Sequence, residues 1–240
     1  MKITKYIPDF ITAMNIVCGI IAVVFAFKGR FDYAFPLMLA AAVFDFFDGF
    51  AARALGAYSD FGKELDSLCD LVSFGVLPSV MLYKLMCICS FGESWLCWTP
   101  LVIAVFSALR LAKFNVDERQ HVNFLGLPTP ACAVLCGSMC CFIAHYPSCF
   151  LAEWAAGPVF VPVLSVILSA LLVCEIPMFS MKIKFGSGMD ITNRKRILFA
   201  ILVLATTVVA IVLHLNWSFV PMISFILYIV KNIVYYLAKL

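Results

Sequence analysis

Four aspartates, Asp45, Asp48, Asp66 and Asp70, stand within the stretch DFFDGFAARALGAYSDFGKELDSLCD, in a chain only 13% charged. Helix positions three apart are rotated by about 60° and positions four apart by about 40°, so each pair forms one acidic face. A hairpin through the segment from Ala54 to Phe61 brings the two faces together and gathers four carboxylates around one small volume. Two divalent cations taking hard oxygen ligands would neutralise that charge. Without metal, same-face carboxylates repel one another. The plainer readings are acids lining a water-filled cavity or paired with Arg53 and Lys63. Gly49 and Gly62 are interleaved with the acids, where a missing side chain lets a ligand approach the backbone, although lone helix glycines also serve close packing. Arg53 adds a planar fork suited to phosphate oxygens. Metals, arginine and small residues together describe a site for a pyrophosphate.

The elements that position these residues are membrane helices. The chain has 240 residues, 64% hydrophobic, with a mean hydropathy of +1.04. A soluble domain of that makeup would have no surface, whereas helices spanning a bilayer satisfy their own backbone hydrogen bonds. The apolar runs predict an all-α integral membrane protein of eight spans: from Pro8 to Phe27, Asp32 to Ala52, Leu65 to Met86, Trp95 to Ala112, Pro128 to Ala144, Pro158 to Cys174, Ile197 to Leu213 and Trp217 to Leu237. No linker or composition shift divides them, so residues 1–240 form a single domain. With a cytoplasmic N-terminus, 14 of the 17 basic residues fall on the inner side, and only Lys28, Arg30 and Lys84 fall outside. Both termini and the aspartate stretch are then cytoplasmic. The first run is expected to be a true span, being too long for a signal peptide and lacking a small-residue cleavage site. Trp95, Trp98, Trp154 and Trp217 are expected near the outer interface. An acid near the centre of a membrane helix costs about 2.5–3.5 kcal/mol on the insertion scale, so four acids require an offset such as bound metal.

The positions Asp45, Asp48-Gly49, Ala52-Arg53, Gly62, Asp66 and Asp70 fit D-x2-D-G-x2-A-R-x8-G-x3-D-x3-D, the signature of the CDP-alcohol phosphatidyltransferases, which the chain resembles. That resemblance implies a membrane enzyme that holds a CDP-linked lipid with two metal ions, Mg2+ or Mn2+, and passes its phosphatidyl group to an alcohol with release of CMP. It implies Asp45, Asp48, Asp66 and Asp70 as metal ligands, with Asp70 also the proton acceptor. It further implies CDP-lipid contacts at Gly49, Ala52, Arg53, Ser59 and Gly62, with Pro8 and Asp9 at the start of the first span. Homodimers are common in the family. The phrases IPDFITAMNIVCG, DSLCDLVSFGVLPS, LRLAKFN and FLGLPTPACA are similar to the phosphatidylserine synthase branch and cover roughly the first 140 residues. The partners implied are CDP-diacylglycerol, L-serine and membrane lipid in a bacterial-type cell membrane, and no nucleic acid.

Arg110, Lys113 and Asn115 end the fourth span on the inner side, where a cationic pair could hold an acceptor carboxylate; snorkelling and topogenic charge explain the same residues. Thr12 and Asn15 lie inside the first span, open either to neighbouring helices or to the nucleotide. His121 is expected in a solvated loop, GLPTP at a loop-to-helix entry, and the 11 cysteines mostly as small packing residues. No Ser-His or Cys-His arrangement near the acids suggests a protein nucleophile. The competing functions are the same chemistry on glycerol 3-phosphate or inositol phosphate, and divalent-cation transport, which would not require Ala52-Arg53 or two glycines in register.

Overall fold

The computed structural model describes residues 6–89, 95–116, 124–178 and 191–238, with backbone alone at 124, 177–178 and 191–198. His121 and Asp190 lie outside the described residues. Among the described residues the regular structure is helical apart from one two-residue antiparallel ladder. Helix α1 (Ile7–Phe27) turns through Gly29, at φ +71°, into α2 (Phe31–Leu55). The left-handed Gly56 then ends α2 while the Ala57 N–H closes on the Ala52 carbonyl at 3.0 Å, an arrangement a side chain at 56 would strain. Ser59 starts the next helix: its hydroxyl oxygen accepts from the Gly62 N–H at 3.0 Å, an N-cap. The hairpin expected between the acidic pairs is therefore built from a glycine stop and a serine start.

Helix α3 (Asp60–Asp70) continues into a π-helical stretch, Leu71–Val76, and then α4 (Leu77–Cys89). Pro78 brings no N–H to the ladder and its ring crowds the carbonyl four residues back, so a wider turn before it relieves the conflict. A 3₁₀ stretch, Trp95–Leu101, leads into α5 (Val102–Val116). Strand β1 (Phe124–Leu125) precedes α6 (Thr129–His145), α7 (Phe150–Ala156) and α8 (Phe160–Val173). Strand β2 (Pro177–Met178) pairs with β1, and α9 (Ile191–Val212) and α10 (Phe219–Leu237) complete the described fold. Gly126, at φ +78°, passes so close to the end of α8 that a Cβ there would meet the Leu172 carbonyl oxygen at 2.6 Å. Pro128 and Thr129 then open α6, as GLPTP led us to expect.

Small residues let these helices approach closely. The buried face of α1 is Pro8, Thr12, Asn15, Gly19, Ala22 and Ala26, alternating steps of four and three, the period of a left-handed helix seam. A Cβ at Gly19 would run into the Ser73 hydroxyl, so α1 and the π stretch touch backbone to side chain. Helix α6 is buried all round from Ala131 to Ile143, packed against α2, α4 and α10, as a core helix. Cys132, Cys136, Cys140 and Cys141 fill it as small side chains, and every cysteine of the chain is a free thiol. The four tryptophans are all exposed, although Trp217 also stacks on Phe35 at 5.1 Å.

Among the described residues, five helical stretches are long and apolar enough to cross a membrane: Ile7–Phe27, Phe31–Leu55, Asp60–Cys89, Trp95–Val116 and Phe219–Leu237. The pair α6 and α7, bent by 105°, makes a sixth if counted as one span. The chain is thus an integral membrane protein. The expected eight runs each fall on helix, but α8 and the apolar part of α9 are shorter than a full crossing.

Candidate active site

The glycine-ended α2 and serine-started α3 return the second acidic pair to the first. Carboxylate oxygens of Asp45, Asp48 and Asp66 all lie within 4.8 Å of one another. Oxygens that converge on one divalent cation at about 2.0–2.6 Å are separated by at most about 4–5 Å, so this trio fits such an ion, and its donors are of the hard type magnesium, manganese and calcium prefer. Asp70 stands beside the trio, within electrostatic reach of Asp45, Asp66 and Asp48.

Helix α1 supplies the groups that orient these acids. The Thr12 hydroxyl donates to Asp48 Oδ2 at 2.6 Å, and lies 3.0 Å from the Pro8 carbonyl, its alternative acceptor. The Asn15 amide donates to Asp70 Oδ1 at 3.2 Å. Of the two readings left open for Thr12 and Asn15, bonding to neighbouring helices is the one seen. The signal was their place on the seam of small residues: a polar side chain there must face another helix. Asp48 is only 6% exposed, so the Thr12 bond acts in a largely dry environment, where it restricts that carboxylate most strongly.

A cavity of about 560 Å³ opens over Asp48 and Asp66, while Asp45 and Asp70 lie outside its lining. Pro8, Asp9, Asp48, Gly49, Ala52, Ser59, Gly62 and Asp66, all singled out from the sequence, line it together with Thr12, Tyr58, Asp60, Lys63 and Phe114. The two glycines have different work. A Cβ at Gly62 would meet Asp9 Oδ1 at 2.9 Å and Ser59 Oγ at 3.0 Å, so Gly62 lets α3 sit against α1 without displacing the Asp9 carboxylate or the Ser59 cap. A Cβ at Gly49 would meet only Arg53 Nη1, at 3.7 Å, so the space Gly49 leaves belongs to the cavity. Arg53 itself is exposed beside Gly49 and outside the lining.

The three acceptor candidates separate. The Lys113 ammonium pairs with Glu175 at 3.6 Å, and the Asn115 amide donates to the Ser67 hydroxyl at 2.9 Å while its carbonyl accepts from Lys63 at 3.1 Å. Arg110 is 8% exposed; Nη1 donates to the Thr129 hydroxyl at 2.7 Å, and Nε has no hydrogen-bond partner among the described residues. Its guanidinium lies within electrostatic reach of Asp70. Lys63 and Phe114 as cavity walls were not foreseen. The lysine directly follows Gly62 in the aspartate stretch, which is the signal that could have found it.

Curated proteins resemble the chain in sequence. A protein named CDP-diacylglycerol–serine O-phosphatidyltransferase from Bacillus subtilis is 39% identical over 126 residues, 52% of this chain and 70% of the relative. One of the same name from Methanocaldococcus jannaschii is 36% identical over 140 residues, 58% of this chain and 63% of the relative. The archaetidylserine synthase of Methanothermobacter thermautotrophicus is 33% identical over 174 residues, 71% of each chain. The sequence model of the family described as CDP-alcohol phosphatidyltransferase matches residues 5–173, a span that carries all four aspartates and the whole cavity lining. This chain therefore belongs to the CDP-alcohol phosphatidyltransferase family.

Proposed function

We propose that this protein transfers the phosphatidyl group of CDP-diacylglycerol to L-serine, giving phosphatidylserine and CMP. The observation that carries the reading is the convergence of Asp45, Asp48 and Asp66, two of which line a cavity of about 560 Å³, with Asp70 beside them, in a member of this family. The acceptor follows from the relatives, whose names share serine but differ in the lipid that receives it.

Asp45, Asp48, Asp66 and Asp70 would hold two divalent cations, Mg2+ or Mn2+, with the structural fit argued above for the first three. Bound there, such ions supply charge neutralisation for a diphosphate and for the departing CMP. The chain's own residues do the rest. Pro8, Asp9, Gly49, Ala52, Ser59 and Gly62 shape the donor cavity, and Arg53 stands at its edge for phosphate oxygens. The serine hydroxyl attacks the phosphorus nearer the lipid while Asp70, oriented by Asn15, takes its proton. Arg110 holds the acceptor's carboxylate, a role its partnerless Nε favours over Lys113 and Asn115, which are engaged elsewhere. The charge count supports a cytoplasmic side for both termini and the site across eight spans, and the family resemblance supports a bacterial-type cell membrane and a homodimer.

The test is CMP release by purified protein given CDP-diacylglycerol, Mg2+ or Mn2+, and a panel of acceptors. Release dependent on L-serine is expected. Equal or greater release with glycerol 3-phosphate or inositol phosphate would overturn serine, and cation flux in proteoliposomes without CMP release would overturn the enzyme.

A further inference from the structure

We propose that Lys63 binds the donor's diphosphate, its ammonium exchanging the main-chain carbonyl of Asn115 for a phosphate oxygen. The proposal rests on the donor reading above and assigns to it a residue outside the aspartate signature.

Charge in the cavity is the first argument. Its lining includes four carboxylates, Asp9, Asp48, Asp60 and Asp66, and among the described residues a single cationic side chain, Lys63. Cations held by Asp48, Asp66 and Asp45 leave Asp9 and Asp60 facing a ligand that is itself doubly anionic. A diphosphate entering such a space needs a mobile positive group, and Arg53 stands outside the lining.

Lys63 is free to be that group. Its Nζ donates to the Asn115 carbonyl at 3.1 Å, a neutral acceptor, and no carboxylate of the described residues lies within 4.0 Å of it. Lys113 and Arg30 are different, each paired with an acid: Glu175 at 3.6 Å and Asp32 at 3.2 Å. Asn115 lies in the last turn of α5, where carbonyls outside the helical ladder gather and water can take the lysine's place. Exchanging a neutral carbonyl for an ionised phosphate strengthens the lysine's bond, because charge-assisted hydrogen bonds are roughly twice as strong as neutral ones.

The chain offers Lys63 other jobs: a strut between α3 and α5, a contact for anionic lipid headgroups, or an anchor for the acceptor's carboxylate. Calorimetric titration of CDP and of cytidine into the full-length protein, in neutral detergent with Mg2+, separates them. Lys63→Met is expected to weaken CDP binding about tenfold or more, the worth of a hydrogen bond to a charged group, and to leave cytidine unchanged. Lys63→Arg restores most of the loss. Ser67→Ala, which breaks the Asn115–Ser67 half of the same contact, leaves CDP affinity as it was. In turnover the Michaelis constant for CDP-diacylglycerol rises and that for serine does not. Equal losses for CDP and cytidine, or a loss shared by Ser67→Ala, would mean a strut. A rise confined to the serine constant would mean the carboxylate anchor. An effect seen only with anionic vesicles, soluble CDP binding normally, would mean a lipid contact. Unchanged CDP affinity in Lys63→Met beside a wild type that binds CDP overturns the proposal alone; a wild type that binds no CDP overturns the donor reading with it.

Discussion

Asp70 and Asp45 belong to one acidic cluster but receive different support. Asp70 is oriented by the Asn15 amide and lies within electrostatic reach of Arg110, while the Asp45 carboxylate is one of the three that meet within 4.8 Å. Asp70→Asn should therefore keep an oxygen near the metal and retain nucleotide binding, yet lose about 10²–10⁴-fold in turnover, the usual contribution of a general base. Asp45→Ala should weaken metal and nucleotide binding together. Calorimetry beside turnover at saturating metal checks both; near-normal turnover in Asp70→Asn would remove its role as base. For Arg110, with Nη1 committed to Thr129 and Nε partnerless, Arg110→Gln should raise the Michaelis constant for serine about tenfold or more and leave that for CDP-diacylglycerol nearly unchanged. Arg110→Lys should not rescue it, since a point charge cannot reproduce the planar fork. A parallel rise in both constants would make Arg110 a packing residue of α5.

Helix α1 contributes none of the four aspartates but sets two of them. Thr12 and Asn15 reach Asp48 and Asp70 only because Gly19, on the same seam, lets α1 lie against the π stretch at Ser73. That stretch, Leu71–Val76, begins directly after Asp70 and is followed by Pro78, so the wide turn sets how α4 leaves the acids. Gly19→Leu should push α1 off Ser73 at a cost of about 1–3 kcal/mol, as overpacking generally does. Turnover should fall further than thermal stability, because the Asn15–Asp70 bond lies one turn away on the same face. A variant with a lowered melting temperature and full turnover would show that α1 need not hold the acids in place. Lys63 is a counterpart on α3, since it ties that helix to the end of α5 until a ligand competes for it.

At the scale of the molecule, α6 is the buried axis, packed on by α2, α4 and α10, and its residues from Ala131 to Ile143 lie within the fold while Ala144 and His145 emerge at its end. The orientation in the bilayer is carried by charge: 14 of 17 basic residues fall on one side of the proposed spans. Cysteine labelling or reporter fusions are expected to find Ser59, His121 and Asp190 in the cytoplasm, with Trp154 and Trp217 outside. An external signal at Ser59 would reverse the orientation and move donor entry to the other leaflet. That test concerns the cavity that opens beside Ser59 and Gly62.

The membrane class and the convergence of acids across a hairpin were legible in the sequence, because hydropathy and three- or four-residue spacing are local properties of a helix. Most of the cavity lining was legible too, since those residues crowd the short stretch from Asp48 to Asp66 and the start of α1. The tertiary structure decided what depends on neighbours distant in sequence. It turned Thr12 and Asn15 toward aspartates 36 and 55 residues away, and separated Arg110 from Lys113 by giving the latter Glu175. It also put Lys63 on the cavity wall and assigned Gly62 to helix contact and Gly49 to open space. The π turn was likewise hidden, because its cause is a proline acting on a carbonyl one turn earlier within an otherwise regular apolar run. Periodicity states which face of a helix is apolar; only packing states what that face meets.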